Sequence, residues 1–359
     1  MTQLNILYIG TDSGTCRHRA IALSRLGHQV RIVDPRSVLL KSQLLDHWMF
    51  RTGSLFLGGL INNRVERAIG SNGAFDLVWV DGGELIPPAL VRELKRRFGA
   101  VINYNVDDPY GQRDGRRWRN YLACVPIYDL VVVVRECNVN EALRIGARRA
   151  VCVHRSADEV AHWPRALSAA DRTKWASDIV FVGTWMPERG PFLARLLELG
   201  IPLSIYGERW RRAAEWPQLR RAWRGPGLHN DEEYATAIQC AKVCIGLLSK
   251  GNRDLCTSRS FEVPYLAGVL CAERTVEHLD LYKEDEEAAF WSTPEECAEK
   301  CLRLLQDAEL RKRVGLAARA RCIRNGTTNE AVLSRIIDAA TNAAGRDDRA
   351  AEICLRVSS

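Results

Sequence analysis

The sequence lacks the features of a membrane-spanning or secreted protein. In its 359 residues no apolar run approaches the roughly 18 residues that a membrane-spanning helix needs, and the clean stretch at residues 130–134 is far shorter. The first ten residues, MTQLNILYIG, lead into a strand pattern without the basic segment of a secretory signal. We therefore expect no integral membrane segment and a cytoplasmic location.

The cysteine spacing of a metal site is also missing. The sequence has 12 cysteines but no CxxC pair and no Cys/His cluster at zinc spacing. Cys240 and Cys244, like Cys297 and Cys301, are four residues apart in predicted helices, where we expect sulfur to act as a small buried apolar group. Without an export signal the thiols are expected to be reduced. We predict no metal site and no catalytic cysteine.

A dense block of charge of one sign is absent as well. Lys and Arg number 51 against 44 Asp and Glu, a net charge of +7, and the arginines are dispersed except at residues 113–119 and 209–224. A nucleic-acid-binding protein usually shows a denser basic stripe, so we expect no nucleic-acid partner. The phosphates of a small molecule need only a few well-placed cations.

Short apolar strands and helical segments alternate through two successive parts of the chain. This alternation is typical of βαβ units and a parallel sheet. The predicted fold class is α/β, with two Rossmann-like domains over residues 1–165 and 170–325. A helix is predicted within residues 326–345, and a flexible tail over residues 346–359. Since ligands of such folds bind at the carboxyl ends of the strands, the loops after strands are where a site is expected.

The first of these loops is a polar turn after the first strand. Its residues are Gly10, Thr11, Asp12, Ser13 and Gly14, whose amides and hydroxyl groups suit contact with an acceptor or a phosphate. A plain tight turn explains the same residues. The two glycines are four residues apart, so the GxGxxG fingerprint of dinucleotide-binding enzymes is absent.

Adjacent carboxylates follow another predicted strand. Asp107 and Asp108 lie in VINYNVDDP, and a carboxylate at a strand end can orient or deprotonate a hydroxyl group. A turn opened by Asp and Pro is the alternative. A metal-binding DxD motif is not favoured, because the acids are adjacent and no third ligand is evident.

The first strand of the second half leads into VGTWMPERG. Gly183 allows close approach of a ligand, Thr184 lies in the loop, and Arg189 lies near the start of the next helix. A guanidinium group beside exposed helix amides suits a pyrophosphate. A surface arginine is the alternative.

The segment at residues 250–268 has the greatest density of candidate ligand groups. Asp254 and Glu262 are eight residues apart, and we expect these carboxylates to accept hydrogen bonds from sugar hydroxyl groups. Pro264 favours a late start of the helix that carries Glu262, because proline is tolerated in the first turn. A capped helix with solvated charges is the alternative. The other candidates, which would form an anion site with the helix amides, are Asn252, Arg253, Thr257, Ser258, Arg259 and Ser260.

Two of these motifs together resemble a known family. VGTWMPERG is similar to the VGRLxPEKG-like stretch of retaining GT-B glycosyltransferases, with Arg189 at the lysine position and Thr184 in place of an arginine. Asp254 and Glu262 match the spacing of their paired acids, with Asp for the usual first Glu. Over about residues 4–335 the chain resembles the CgeB-like (spore maturation protein type) branch, through YNVDDP, RDLCTSRSFEVP, AERTVEHL and AFWSTPEECAEKCLRLL.

The resemblance implies a GT-B fold, with two Rossmann-like domains facing a central cleft and a last helix that returns to the first domain. It also implies a glycosyltransferase that retains anomeric configuration and uses a nucleotide-diphosphate sugar, with an unknown acceptor selected by loops such as residues 41–63. Asp254 would touch the transferred sugar and Glu262 the nucleotide ribose. No metal or cofactor is expected if Arg189, Arg259 and helix amides supply the positive charge.

Two alternatives from other classes stand beside this interpretation. One is a degenerate glycosyltransferase that only binds its ligand. The other is an NAD(P)-dependent oxidoreductase or an epimerase, against which the missing GxGxxG fingerprint counts.

Overall fold

The chain divides into two compact units. The computed structural model describes residues 2–70, 73–111, 113–228, 230–341 and 351–354, the last four by their backbone alone. The first unit comprises Met1–His154 and Asn329–Arg356, and the second is built on Arg155–Thr328.

The first unit is a parallel sheet covered by helices, with the strand order β13-β6-β5-β4-β3-β1-β2. Along β1, Leu7 and Ile9 pack into one core, while Ile6 and Tyr8 pack into the core on the opposite face. Burial on both faces explains why its strands read as nearly continuous apolar runs. Its elements are β1 Asn5–Ile9, α1 Gly14–Arg25, β2 Gln29–Val33, α2 Gln43–Thr52, α3 Gly58–Ile69, β3 Leu77–Asp81, α4 Pro88–Phe98, β4 Val101–Asn105, α5 Arg119–Cys124, β5 Leu130–Val133, α6 Glu136–Arg144, β6 Arg149–Cys152, α15 Asn329–Thr341 and β13 Ala351–Cys354.

The second unit is a parallel sheet with the strand order β12-β11-β10-β7-β8-β9. On β7, Ile179 and Phe181 face one core, and Val180 and Val182 face the other. Its elements are α7 Ala169–Trp175, β7 Ser177–Val182, α8 Arg189–Glu198, β8 Leu203–Tyr206, α9 Trp216–Leu219, β9 Trp223–Gly225, α10 Asp231–Cys240, β10 Ala241–Gly246, α11 Arg259–Tyr265, β11 Leu270–Glu273, α12 Val276–Leu281, β12 Ala289–Trp291, α13 Pro294–Gln306 and α14 Ala308–Arg324.

Helix α15 completes the core of the first unit, although it is the last helix in the described chain. Its apolar residues Val332, Leu333, Ile336 and Ile337 are buried in the same core as β1. The spacing of these four residues puts them on one face of a helix. The helix packs against α1, and Arg25 Nε lies 2.5 Å from Glu330 Oε1.

Two segments differ from the sequence-based expectation. Residues 41–63, which we treated as variable loops, contain α2 and the start of α3. In the tail predicted to be flexible, Ala351–Cys354 forms β13, which pairs in parallel with β6. The rest of that tail lies outside the described residues. Pairing of β13 covers the hydrogen-bonding groups that β6 would otherwise expose at the sheet edge.

The start of α11 is a correction with a clear cause. The sequence pattern indicated a helix from Arg259, whereas Pro264 favoured a later start; α11 begins at Arg259, and Pro264 lies inside it. Proline lacks the N–H that would bond to the carbonyl of Ser260, four residues earlier. The hydroxyl of Tyr282 donates to that carbonyl at 2.6 Å instead. A tertiary hydrogen bond therefore replaces the missing helical one.

Candidate active site

In the first unit, close packing explains the glycine at the end of β1. A Cβ atom on Gly10 would lie 2.6 Å from Cys16 Sγ and 2.9 Å from Asp81 Cβ. The rest of the predicted acceptor loop, Thr11, Asp12, Ser13 and Gly14, is exposed at the carboxyl end of β1. The exposed residues of this loop are therefore the ones available to a ligand.

A buried ion pair that sequence reasoning missed lies beneath this loop. Arg19 donates to both carboxylate oxygens of Asp81, at 2.7 Å and 2.8 Å, and Tyr8 donates its hydroxyl to the same carboxylate at 2.5 Å. Burial and the nearby charge of Asp81 raise the pKa of Tyr8, so it remains a donor. The sequence signal that could have indicated this ion pair is Asp81 at the end of β3, followed by Gly82 and Gly83.

The two adjacent acids after β4, Asp107 and Asp108, lie in different environments. Asp108 is buried, and its Oδ1 accepts hydrogen bonds from the amide of Gly111 at 3.1 Å and from Asn138 Nδ2 at 3.0 Å. Asp107 is half-buried, and its Oδ2 lies 3.7 Å from Arg117 Nη2. The structure thus gives Asp108 a turn-forming contact and leaves Asp107 as the more accessible carboxylate.

In the second unit, a buried carboxylate network surrounds Glu262 in the first turn of α11. Its side chain is 3% exposed. Tyr234 donates its hydroxyl to Glu262 Oε2 at 2.8 Å, Arg259 pairs with the same oxygen, and His162 Nε2 lies 3.8 Å from Oε1. The Arg259 guanidinium also lies over the Tyr234 ring, 4.5 Å from its centroid.

The charge state of this network follows from its contacts. The backbone amide of Asp158 donates to His162 Nδ1 at 2.8 Å, which places the ring proton on Nε2, toward Glu262. Burial alone would raise the pKa of Glu262, but the charge of Arg259 and the hydrogen bonds from Tyr234 and Arg259 outweigh it, and the pKa is lowered. Glu262 is therefore an ionised carboxylate in the interior of the unit.

Asp254, the other acid of the pair, is buried in an ion pair. Arg155 Nη2 lies 2.9 Å from Asp254 Oδ1, and Arg155 Nη1 donates to the carbonyl of Cys256 at 2.8 Å. One guanidinium group thus holds two points of the loop between β10 and α11.

Arg189 is not the surface arginine that we considered as an alternative. It is 8% exposed, and its guanidinium donates to the carbonyls of Thr184 at 2.8 Å, Leu247 at 3.2 Å and Leu248 at 3.3 Å. These carbonyls lie in the loops after β7 and β10, so Arg189 connects the two loops that carry the predicted motifs. Gly183, next to Thr184, accepts a hydrogen bond on its carbonyl from Trp210 Nε1 at 3.0 Å.

The hydroxyl groups before and in α11 are not equivalent. Ser260 is buried, its Oγ lies 2.7 Å from His278 Nε2, and the amide of Thr257 donates to it at 3.1 Å. The amides of Ser260 and Phe261 donate to the carbonyls of Thr257 and Ser258. Because these two amides bond to backbone carbonyls, they are not available to a ligand, contrary to the anion site of helix amides that we expected.

The remaining predicted donor-binding residues lie at or near the surface. Thr257, Ser258 and Asn252 are half-buried, and Arg253 is exposed with a φ of +52°. The groups of this motif that a ligand can reach are thus Asn252 and Arg253, and the hydroxyl groups of Thr257 and Ser258 directly before α11.

Sequence reasoning missed three residues of this site: Arg155, His162 and Tyr234. Arg155 and His162 lie near the predicted end of the first domain at residue 165, where no periodicity marks them. Tyr234 lies on α10, to which sequence reasoning assigned no ligand.

No helix in the described part of the chain has both the length and the apolar character that a membrane crossing requires.

Residues 189–338 match the family model described as "Glycosyl transferase-like". A comparison with curated protein sequences found no significant match.

Among solved structures, sucrose-phosphate synthase from Thermosynechococcus elongatus is 13% identical, with a TM-score of 0.65 over 95% of this chain and 100% of that chain. Alr3699/HepE from Anabaena, in complex with UDP-glucose, is 10% identical, with a TM-score of 0.65 over 95% and 100%. A Listeria monocytogenes protein assigned as a UDP-N-acetylglucosamine 2-epimerase is 10% identical, with a TM-score of 0.58 over 98% and 100%. At these identities the likeness concerns the fold, and it confirms the predicted GT-B fold class.

Proposed function

We propose that this chain is a glycosyltransferase that uses a nucleotide-diphosphate sugar bound by its second unit, a proposal supported by the family match over residues 189–338 and by the GT-B fold. The observation that carries the proposal is the ionised, buried Glu262 beside Arg259 at the start of α11, within the matched segment. Because the Anabaena structure of the same fold is in complex with UDP-glucose, a UDP-sugar is the first donor to test.

Glu262 and Arg259 divide the recognition of the donor between them. Glu262 Oε2 is occupied by Tyr234 and Arg259, whereas Oε1 has His162 at 3.8 Å and is the oxygen assigned here to a ribose hydroxyl group. Arg259 has 30% of its side chain exposed, so its cation can also meet the pyrophosphate, assisted by Thr257 and Ser258. Charge that develops on the leaving pyrophosphate is stabilised best by cations that are already in place.

Asp254 is assigned to the transferred sugar because of its eight-residue spacing from Glu262. The structure adds that Arg155 fixes the orientation of this carboxylate. Arg189, which we expected to contact the pyrophosphate, is reassigned here as a positioning residue, since its guanidinium holds the loops after β7 and β10. Asn252 and Arg253 lie on the loop that these contacts fix.

Several finer assignments belong to the same proposal. We assign retention of anomeric configuration, membership of the CgeB-like branch and a reaction without metal or cofactor, in which arginines carry the positive charge. The exposed residues Thr11–Gly14 and the carboxylate of Asp107 are the candidates for acceptor contact. A cytoplasmic location is part of the same proposal, and it is supported by the buried Cys271, Cys297 and Cys301, which form no disulfide.

Donor binding tests the proposal directly. A thermal-shift screen of UDP-, GDP-, dTDP- and CMP-sugars should identify one base, and calorimetry should then compare its nucleoside diphosphate with the bare nucleoside. Arg259→Ala should weaken the diphosphate about tenfold or more and the nucleoside little, since a charge-assisted contact to phosphate is lost. Arg189→Ala should lower the unfolding temperature and weaken both ligands to a similar degree.

The alternatives give different results in the same experiments. Tight donor binding without transfer to any acceptor would favour the binding-only protein. Interconversion of a UDP-sugar without an acceptor would favour an epimerase, a class represented among the proteins of this fold. Absence of binding to every nucleotide would contradict the proposal.

A further inference from the structure

The second unit contains a cluster of three buried thiols that the proposed function does not use. Cys271 lies on β11, and Cys297 and Cys301 lie on α13. Residues four apart on a helix share one face, and here that face covers β11. Cys271 Sγ lies 3.9 Å from Cys297 Sγ and 3.9 Å from Cys301 Sγ, and all three sulfur atoms lie within 4.8 Å of one another.

The spacing of the sulfur atoms suits a metal ion at their centre. With metal–sulfur bonds of about 2.3 Å, three sulfur atoms in a plane around one ion are about 4.0 Å apart. Among the described residues the group of potential ligands has these three members, whereas structural zinc sites use four. Three thiolates without a fourth ligand favour a soft ion.

The surroundings also favour a soft ion over a hydrated one. All three side chains are fully buried, in a core that also contains Trp291 and Leu304. Water has little access to such a site, so an ion that keeps water ligands is excluded. This core lies on the opposite face of the sheet from α11, whose Phe261 packs into the other core.

We propose that Cys271, Cys297 and Cys301 form a binding site for one soft, thiophilic metal ion of the Cu(I) class, held by three sulfur atoms. Each thiol that ligates the ion releases its proton to solvent, and no electron is transferred. The ion would link α13 to β11 and stabilise the second unit. The proposal does not depend on the glycosyltransferase assignment.

The test uses the reduced full-length protein under anaerobic conditions, with a Cu(I) salt in the presence of a competing chelator. We expect one copper per chain to survive the competition, and X-ray absorption to show three sulfur neighbours at about 2.3 Å. The unfolding temperature should rise with copper, because an ion that binds the folded state alone stabilises it.

Matched variants separate this cluster from the other thiols. Cys297→Ala and Cys301→Ala should each weaken Cu(I) binding about tenfold or more, whereas Cys244→Ala, which removes a buried thiol of β10, and Cys137→Ala, which removes an exposed one, should not. Retention of copper by Cys301→Ala at the wild-type level, or no copper on the wild-type protein, would overturn the proposal. Should a cluster variant fail to fold, the sulfur count on the wild-type protein decides, and a count other than three rejects the site.

Discussion

At the scale of single residues, Glu262 and Asp254 are both buried acids, but their partners differ. Glu262 is held by Tyr234, which lies on α10, and by Arg259, which lies on the same helix as Glu262. Asp254 is held by Arg155, from the beginning of the second unit. Substitution of each acid therefore disturbs a different set of contacts and should have a different effect on ligands.

Glu262→Gln should weaken the nucleotide diphosphate and the complete donor together, because both contain the ribose. Asp254→Asn should leave the affinity for the free nucleotide nearly unchanged and slow transfer by about 10² or more, if its contact strengthens in the transition state. Calorimetry with the free nucleotide and single-turnover transfer measure the two effects.

Two further variants control this comparison. Glu286→Gln removes an exposed carboxylate and should change neither the affinity for the free nucleotide nor the rate of transfer. Arg155→Lys keeps a positive charge but loses the fork that holds both Asp254 and the Cys256 carbonyl. A loss of nucleotide affinity in Asp254→Asn as large as in Glu262→Gln would contradict the division of roles.

At the scale of elements, α11 depends on a hydroxyl group from outside the helix. Tyr282→Phe removes the donor to the Ser260 carbonyl and should lower the free energy of unfolding by about 1–3 kcal/mol, the cost of an unpaired buried polar group. Pro264→Ala restores an N–H in the right place. The cost of Tyr282→Phe should thus be smaller in the Pro264→Ala background, as measured by denaturant unfolding of all four proteins. Equal costs in both backgrounds would mean that the Ser260 carbonyl is not the relevant partner.

An ionic network links the loop after β11 to α13, and it should make stability depend on pH. Hydrogen bonds from Arg274, with a further contribution from Lys300, lower the pKa of Glu284 from 4.5 to about 2. Because this pKa is lower in the folded state, the stabilisation is complete above about pH 4.5 and is lost as the pH falls toward 2.

Glu284→Gln should accordingly reduce the free energy of unfolding by about 1 kcal/mol at pH 7, a modest value because the pair is partly exposed to solvent. The difference from the wild-type protein should shrink below pH 4.5 and vanish near pH 2. Denaturant unfolding at several pH values measures it. A difference that stays constant with pH would show that the loss is not electrostatic.

These contacts also indicate what the sequence could reveal. The βαβ alternation and the spacing of Asp254 and Glu262 are local patterns, and they predicted the fold class and the loop–helix segment that holds both acids. The partners of these acids are distant in sequence: Arg155 is 99 residues from Asp254, and Tyr234 is 28 residues from Glu262. No local periodicity encodes such pairs. The tolerance of Pro264 inside α11 was likewise unpredictable, because it depends on Tyr282.

At the scale of the whole molecule, the second unit is continuous in sequence and the first is not. A fragment of residues 155–328 contains the strands and helices of both cores of its sheet and should unfold cooperatively on its own. A fragment of residues 1–154 lacks α15 and exposes the apolar surface that Leu333 and Ile336 cover. It should be less soluble and less cooperative than the same fragment joined by a flexible linker to residues 329–341.

Circular dichroism and denaturant unfolding of the three fragments provide the measurement. The isolated fragment of residues 1–154 should gain cooperativity only when the helix is attached. Equal unfolding curves with and without residues 329–341 would show that α15 is dispensable for the first unit.

The divided first unit has a consequence for biosynthesis. A ribosome makes residues 1–154 first, yet α15, which covers one face of their sheet, is translated only after all of residues 155–328. The nascent chain must keep that incomplete sheet from aggregating throughout the synthesis of the second unit. The second unit, made in one continuous stretch, can finish folding before the unit that precedes it.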